Sequence, residues 1–208
     1  SNHTARTLQM LEIAAIPVVE MMDLPAQPID LAVGMDHQAA AMAMVNAMLD
    51  QGCNEMVYLA ARMDTRTQLR EAGFRAALAV RNLPAHIVQT SASSSFTLGG
   101  ELMRQALAER PSLDGVFCTN DDIAAGALLA LQSLGKHVPN DVRIAGVNHL
   151  DIGLALQPQL ASIVTPREAI GRCAAERLIG SINGQIYPDR TLDLGFHLFM
   201  GQSVIARP

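Results

Sequence analysis

At 208 residues the chain is long enough for one large domain or two small ones, and with 50% apolar and only 17% charged residues it can bury a sizeable core. That composition excludes a disordered chain, and a net charge of −5 excludes electrostatic binding of a phosphate backbone by this stretch alone. Tryptophan is absent and aromatics make up 3%, so the core must be filled by Ala, Leu, Ile, Val and eleven Met.

Apolar residues from Thr4 to Ile13 fall at helical spacing. Ile16-Pro17-Val18-Val19 starts a strand that ends near Asp23, and Ile29 to Met35 is a second extended run after a loop with two prolines. Asp36 is placed to cap an Ala/Met-rich helix from His37 to Gln51, with Gly52 as its stop. Met56 to Ala60 is a strand, a helix runs from about Thr67 to Arg81, and His86 to Gln89 is a short strand. A serine-rich loop, Ala92 to Phe96, precedes a helix from Thr97 to Glu109.

The run from Val116 to Asn148 then reads as strand, polar turn, helix, glycine stop at Gly135, proline turn at Pro139, and strand from Ile144 to Val147. Asp151 to Gln157 suits a short helix, Leu160 to Thr165 a strand, and Arg167 to Ile182 an amphipathic helix ending at Asn183-Gly184. The tail from Thr191 to Ile205 alternates as extended structure does. Strands and helices alternate almost throughout, which predicts an α/β fold with parallel sheets.

Cys53, Cys118 and Cys173 are far apart and odd in number, without a CxxC pair. That argues against a disulfide framework or structural zinc and for a reducing cytoplasm. No apolar run reaches membrane-spanning length, and the first residues lack a signal-peptide pattern. The start directly in a helix suggests that upstream sequence is missing.

Polar residues cluster after predicted strands, where ligands bind in open parallel sheets. Asn120-Asp121-Asp122 supplies a helix cap from one of its members, with the others free to hydrogen-bond hydroxyls of a ligand. Paired carboxylates also serve acid–base or metal chemistry, but no histidine or further carboxylate joins them at a recognisable spacing. Arg62, Arg66 and Arg70 recur every four residues after the strand ending at Ala60; they form either a solvated face or a site for a carboxylate or polyol. Asn148-His149-Leu150-Asp151 is either an ordinary loop or a second wall of the same cleft. Ser93, Ser94, Ser95 and Phe96 are either a plain connection or a source of hydroxyls and an aromatic face. GxSxG, P-loop, HExxH and GxGxxG motifs are absent, and the six dispersed histidines, His3 among them, read as structural or exposed.

Phe117 through Ala127, Gly135, Val138 through Gly146, Ile16 through Val19 and Arg70-Glu71-Ala72-Gly73-Phe74 together resemble the lactose/galactose repressor (LacI/GalR) family. Pro158 to Pro166 resembles the family's Pro-x-Leu-Thr-Thr segment, with Ala161-Ser162 in place of the usual pair. Within the family, His3 through Leu8, Pro17 through Asp23, Asp151-Ile152-Gly153, Leu160 through Glu168 and Leu192 through Phe196 are most similar to gluconate-utilisation repressors.

The resemblance implies a regulator with an N-terminal helix-turn-helix domain, a hinge helix and a two-lobed core like periplasmic sugar-binding proteins. On that layout the DNA-binding domain is absent and the first lobe is truncated at its N-terminus. Residues 1–36 and 166–194 would form the first lobe, and 37–165 with 195–208 the second, with the family's effector held between lobes. Arg70 matches the family's effector-binding arginine, and Asn120 and Asp121 match pocket residues. Asn148 stands where the family often has aspartate, and Ser94 where some members place an aromatic stacker. Both departures suit an open-chain sugar acid better than a neutral sugar ring. The expected effector contacts are therefore Arg66, Arg70, Ser94, Asn120, Asp121 and Asn148, with no cofactor, metal, membrane or catalysis. The expected protein is a cytoplasmic homodimeric repressor that reaches operator DNA through the missing domain. A periplasmic-type sugar-binding protein of a transport system is the alternative, and a sugar-modifying enzyme would need a catalytic pair that the chain does not display.

Overall fold

The chain crosses three times between two compact units, Ser1–Asp36 with Pro166–Phe196 and His37–Thr165 with His197–Pro208. The structure, a computed structural model, describes residues 4–205; His3 lies outside them. The elements run α1 (Ala5–Ala14), β1 (Val19–Met22), β2 (Leu31–Gly34), α2 (His37–Asp50), β3 (Met56–Ala60), α3 (Thr65–Val80), β4 (His86–Gln89), α4 (Phe96–Glu109) and β5 (Gly115–Cys118). They continue as α5 (Asp121–Ser133), β6 (Arg143–Val147), α6 (Asp151–Ala155), β7 (Ala161–Val164), α7 (Arg167–Ile182), β8 (Thr191–Asp193), β9 (His197–Phe199) and α8 (Gly201–Val204).

In the first unit β1, β2 and β8 make a parallel sheet in that order. Its core gathers Val33 of β2 and Ile170 and Ala174 of α7, with Val19, Leu192 and Leu194 packed against them. Arg190 ties the loop before β2 to the start of β8 by donating to the carbonyls of Pro28 (2.7 Å), Ile29 (2.9 Å) and Asp30 (2.8 Å).

The second unit holds a six-stranded sheet in the order β4-β3-β5-β6-β7-β9. Its first five strands are parallel, as expected. β3 and β5 are buried at every position. That is why they read as continuous apolar runs rather than alternating ones: helices cover both faces of a parallel sheet. The tail departs from expectation. β9 adds to β7 antiparallel, and the chain then turns into the short helix α8 instead of continuing extended. Ser203 of α8 explains the turn, because its hydroxyl accepts from the Ala161 N–H (2.7 Å) and donates to the Ile144 carbonyl (2.6 Å).

The few aromatic residues are concentrated. Tyr58 of β3 stacks on Phe74 of α3 and Phe117 of β5, with ring centroids 5.8 and 5.5 Å apart. On the other face, α4 and α5 approach closely through glycine. A Cβ on Gly126 would lie 1.9 Å from the Phe96 carbonyl oxygen, and one on Gly99 2.3 Å from that of Ile123. Gly99-Gly100, set aside as a phosphate loop, lies inside α4 on that contact.

Candidate functional site

The chain leaves β3 toward β4 on one side of the sheet, while β5 continues it on the other, so the loops at the carboxyl ends of β3 and β5 diverge. Such a switch point opens a crevice in a doubly wound sheet. Here it is a cavity of about 110 Å³. Arg62 reaches it from the loop after β3, and Asp64, Arg66 and Arg70 from the start of α3. Ser94 comes from the serine loop, Thr119 and Asn120 from the end of β5, and Asn148 from the end of β6. A larger groove in the first unit, about 550 Å³, is lined mainly by apolar residues such as Leu11, Ile16 and Ile186, and its Arg190 is spent on backbone carbonyls.

Local sequence dictates most of this wall. Asp64 caps α3 by accepting from the Thr67 N–H at 2.9 Å, which starts the helix two residues earlier than expected and puts Arg66 and Arg70 in its first two turns. Burial raises the Asp64 pKa, but the Thr67 hydrogen bonds and the Arg66 and Arg70 charges outweigh it and hold the carboxyl below its ordinary value. Arg66 lies 3.5 Å from Asp64 with its side chain 37% exposed. Arg70 is only 7% exposed. It donates through Nη1 to the Thr119 carbonyl at 2.7 Å, and its Nη2 lies 3.2 Å from Nδ1 of His37. Beneath them the Thr67 hydroxyl bonds the Ala61 carbonyl (3.2 Å) and the Thr119 hydroxyl (3.0 Å), and the Tyr58 hydroxyl donates to the Thr67 carbonyl (3.2 Å). Burial pushes the Tyr58 phenol and the neighbouring Cys118 thiol well up, so both stay neutral.

The wall contributed by the β6 end is strained. Asn148 has φ 105° and His149 φ 52°, a region that side-chain-bearing residues seldom occupy. Buried partners hold this turn: Asn148 N–H donates to Ile163 O (2.9 Å), His149 N–H to Ser162 Oγ (2.9 Å) and Leu150 N–H to Asp121 Oδ2 (2.6 Å). The Thr165 hydroxyl donates to Asn148 Oδ1 at 3.4 Å.

Residues 45–204 match the periplasmic binding protein-like domain family. The chain is 47% identical over 203 residues to the HTH-type transcriptional regulator GntR of Escherichia coli K12, covering 98% of this chain and 61% of that protein. The crystal structure of transcription regulator GntR from Chromobacterium violaceum superposes with a TM-score of 0.95 at 36% identity, covering 98% of this chain and 76% of that one. A LacI-family transcriptional regulator from Silicibacter pomeroyi superposes with a TM-score of 0.91 at 30% identity, covering 98% and 62%. The chain belongs to the LacI family and carries its periplasmic-binding-protein-like domain. It spans 61% of the length of the Escherichia coli relative.

Within this LacI-family domain, five of the six residues singled out in the sequence line one cavity: Arg66, Arg70, Ser94, Asn120 and Asn148. Asp121 does not. It is fully buried, with Oδ1 accepting from Ser162 Oγ at 2.7 Å and Oδ2 engaged by Leu150, so its carboxylate supports the strained β6 turn. A Cβ on Gly146 would meet that carboxylate at 2.3 Å, which accounts for the glycine there. Of the three candidates Asn120 is the cap of α5: its Oδ1 accepts from the Ile123 N–H at 3.1 Å while its Nδ2 donates to Ser94 Oγ at 2.8 Å. One residue thus both caps and faces the cavity, and its amide supplies the two functions that the sequence divided between neighbours. Ser95 caps α4 by accepting from Leu98 N–H (3.1 Å), and Phe96 is 47% exposed on the α4–α5 face, away from the cavity. Arg62, named with Arg66 and Arg70 in the sequence but not among the expected contacts, joins the wall, and so does Asp64, which was missed as a site residue. The N-cap pattern three residues before Thr67 was the available signal for Asp64. Among the described residues no cluster of three or more His, Cys, Asp or Glu is arranged to hold a metal, and no helix is long and apolar enough to cross a membrane.

Proposed function

We propose that this chain is the effector-binding part of a bacterial transcriptional repressor that senses a sugar acid such as gluconate and makes or breaks no bond in it. The observation that carries this reading is the charge of the cavity: three guanidinium groups, of Arg62, Arg66 and Arg70, stand against one carboxylate, that of Asp64. Asn148 adds an amide where an acidic residue would have repelled an anion. Ser94, Asn120 and the Thr67 hydroxyl offer the polar groups that a polyol chain needs. Asp64 is engaged as a cap and in an ion pair, so it is not a poised base. On this reading the two compact units serve as the two effector lobes, and the regulator acts in the cytoplasm as a homodimer. It would reach operator DNA through an N-terminal helix-turn-helix domain. The named relatives are transcriptional regulators, which favours this over a binding protein of a transport system.

Calorimetry with gluconate and glucose tests the reading. Gluconate is expected to bind and glucose to bind at least tenfold more weakly. Arg70→Ala should cost about 1.5–3 kcal/mol of gluconate affinity, and Arg66→Ala, partly in solvent, about 1 kcal/mol. Glucose binding without gluconate binding, or full affinity in both variants, would overturn it.

A further inference from the structure

Two of the three arginines that line the cavity are committed to the protein: Arg70 to the Thr119 carbonyl (2.7 Å) and His37 (3.2 Å), and Arg66 to Asp64 (3.5 Å). Arg62 differs from both. It is exposed, and among the described residues its side chain has no hydrogen-bond or ion-pair partner. Its backbone, by contrast, is fixed in an uncommon shape. Arg62 has φ 68° and Met63 φ 52°, two successive left-handed residues that both carry side chains. Three bonds hold the turn. Arg62 N–H donates to the Ala92 carbonyl (3.0 Å), Gln68 Nε2 donates to the Met63 carbonyl (3.0 Å), and Asp64 caps α3. The first of these also ties the turn to the loop that brings Ser94 to the cavity.

We propose that Arg62 is the residue that takes the carboxylate of the ligand and so sets the preference for a sugar acid over the matching uncharged polyol. This rests on the sugar-acid reading of the cavity. A guanidinium offers a carboxylate two parallel N–H groups, and here the anion would displace water rather than a protein acceptor. Backbone strain that neighbouring bonds over-determine is concentrated at ligand clamps, and this turn fixes where the Arg62 side chain leaves the chain. The strand order β3-β5-β6 sets Asn120 and then Asn148 farther from the β3 loop, at about 4.8 Å per strand. The hydroxyl-bearing carbons therefore run from Arg62 toward those two amides.

Calorimetry on the full-length protein with gluconate and glucitol, the same polyol without the carboxylate, tests this. Arg62→Gln should weaken gluconate about fivefold or more and leave glucitol within about twofold, while Arg62→Lys should hold gluconate within about threefold. Asn148→Gly, which suits the left-handed backbone there, should weaken both ligands alike. Arg62→Gly should melt at or above the parent's temperature and bind gluconate as poorly as Arg62→Gln, which separates binding from folding. Gluconate bound as tightly by Arg62→Gln as by Arg62→Lys, or both ligands weakened equally by Arg62→Gln, would overturn the proposal and leave the sugar-acid reading standing. A parent that binds no gluconate would overturn both.

Discussion

Asn120 and Asp64 show how single residues at helix starts are shared between folding and the cavity. Each places one oxygen on a helix N-terminal N–H and presents the rest of its polar group to the crevice. This economy follows from topology, because in a parallel α/β sheet the helices begin at the same edge where ligands bind. Asp64 makes it measurable. Its pKa is lowered in the folded chain, so its contribution to stability is fully present above the ordinary carboxylate pKa and is lost as pH falls through the lowered folded value. Asp64→Asn keeps a capping oxygen and loses the charge, so it should cost a few tenths to about 1 kcal/mol near neutral pH, and the gap to the parent should close on acidification below the carboxylate range. Thermal unfolding across pH checks this; a gap that stays constant into acid would mean the charge of Asp64 does not matter.

At the scale of elements, the α4–α5 contact has the narrowest tolerance. Gly99 and Gly126 let the two helices meet backbone to backbone, and the obstructing atoms are carbonyl oxygens that cannot rotate away as a side chain tip would. Gly126→Ala is accordingly expected to destabilise the chain by about 1–3 kcal/mol despite alanine's better helix propensity, because overpacking outweighs the roughly 1 kcal/mol gained in propensity. Chemical denaturation reads the sign, and a stabilised variant would show that the helices can part at little cost. The sheet beneath explains why its strands were easy to read. Continuous apolar runs such as Met56–Ala60 and Gly115–Cys118 have no exposed face to interrupt them. β9, three residues long at a sheet edge, carries no such pattern, and neither its direction nor the turn of α8 could be found without the partners of Ser203.

For the whole molecule, the three crossings between units fall at 36/37, 165/166 and 196/197. Two of the residues at these crossings bond directly to cavity side chains: His37 to Arg70 and Thr165 to Asn148. A ligand that orders Arg70 and Asn148 should therefore also order the crossings, and a regulator needs such a route from ligand to conformation. Saturating gluconate is expected to slow amide hydrogen exchange in residues 35–39 and 163–168 more than in the last turn of α4, at the opposite end of that helix from Ser94 and Ser95. Equal slowing everywhere would point to general stabilisation by binding instead.

Periodicity and residue type by themselves determined the alternating α/β order, the parallel sheet of the second unit and the neighbourhood of the cavity. Those depend on local propensity and on polar residues that follow apolar strands. Which polar residue performs which role was decided by the tertiary structure. Asp121 and Asn120 are adjacent and both polar, yet the Asp121 carboxylate lies under the β6 turn while the Asn120 amide stays at the crevice. His37 lies 33 positions from Arg70 in the chain. No spacing rule joins them, and their pairing exists only because α2 and α3 bring their N-terminal ends together behind the cavity.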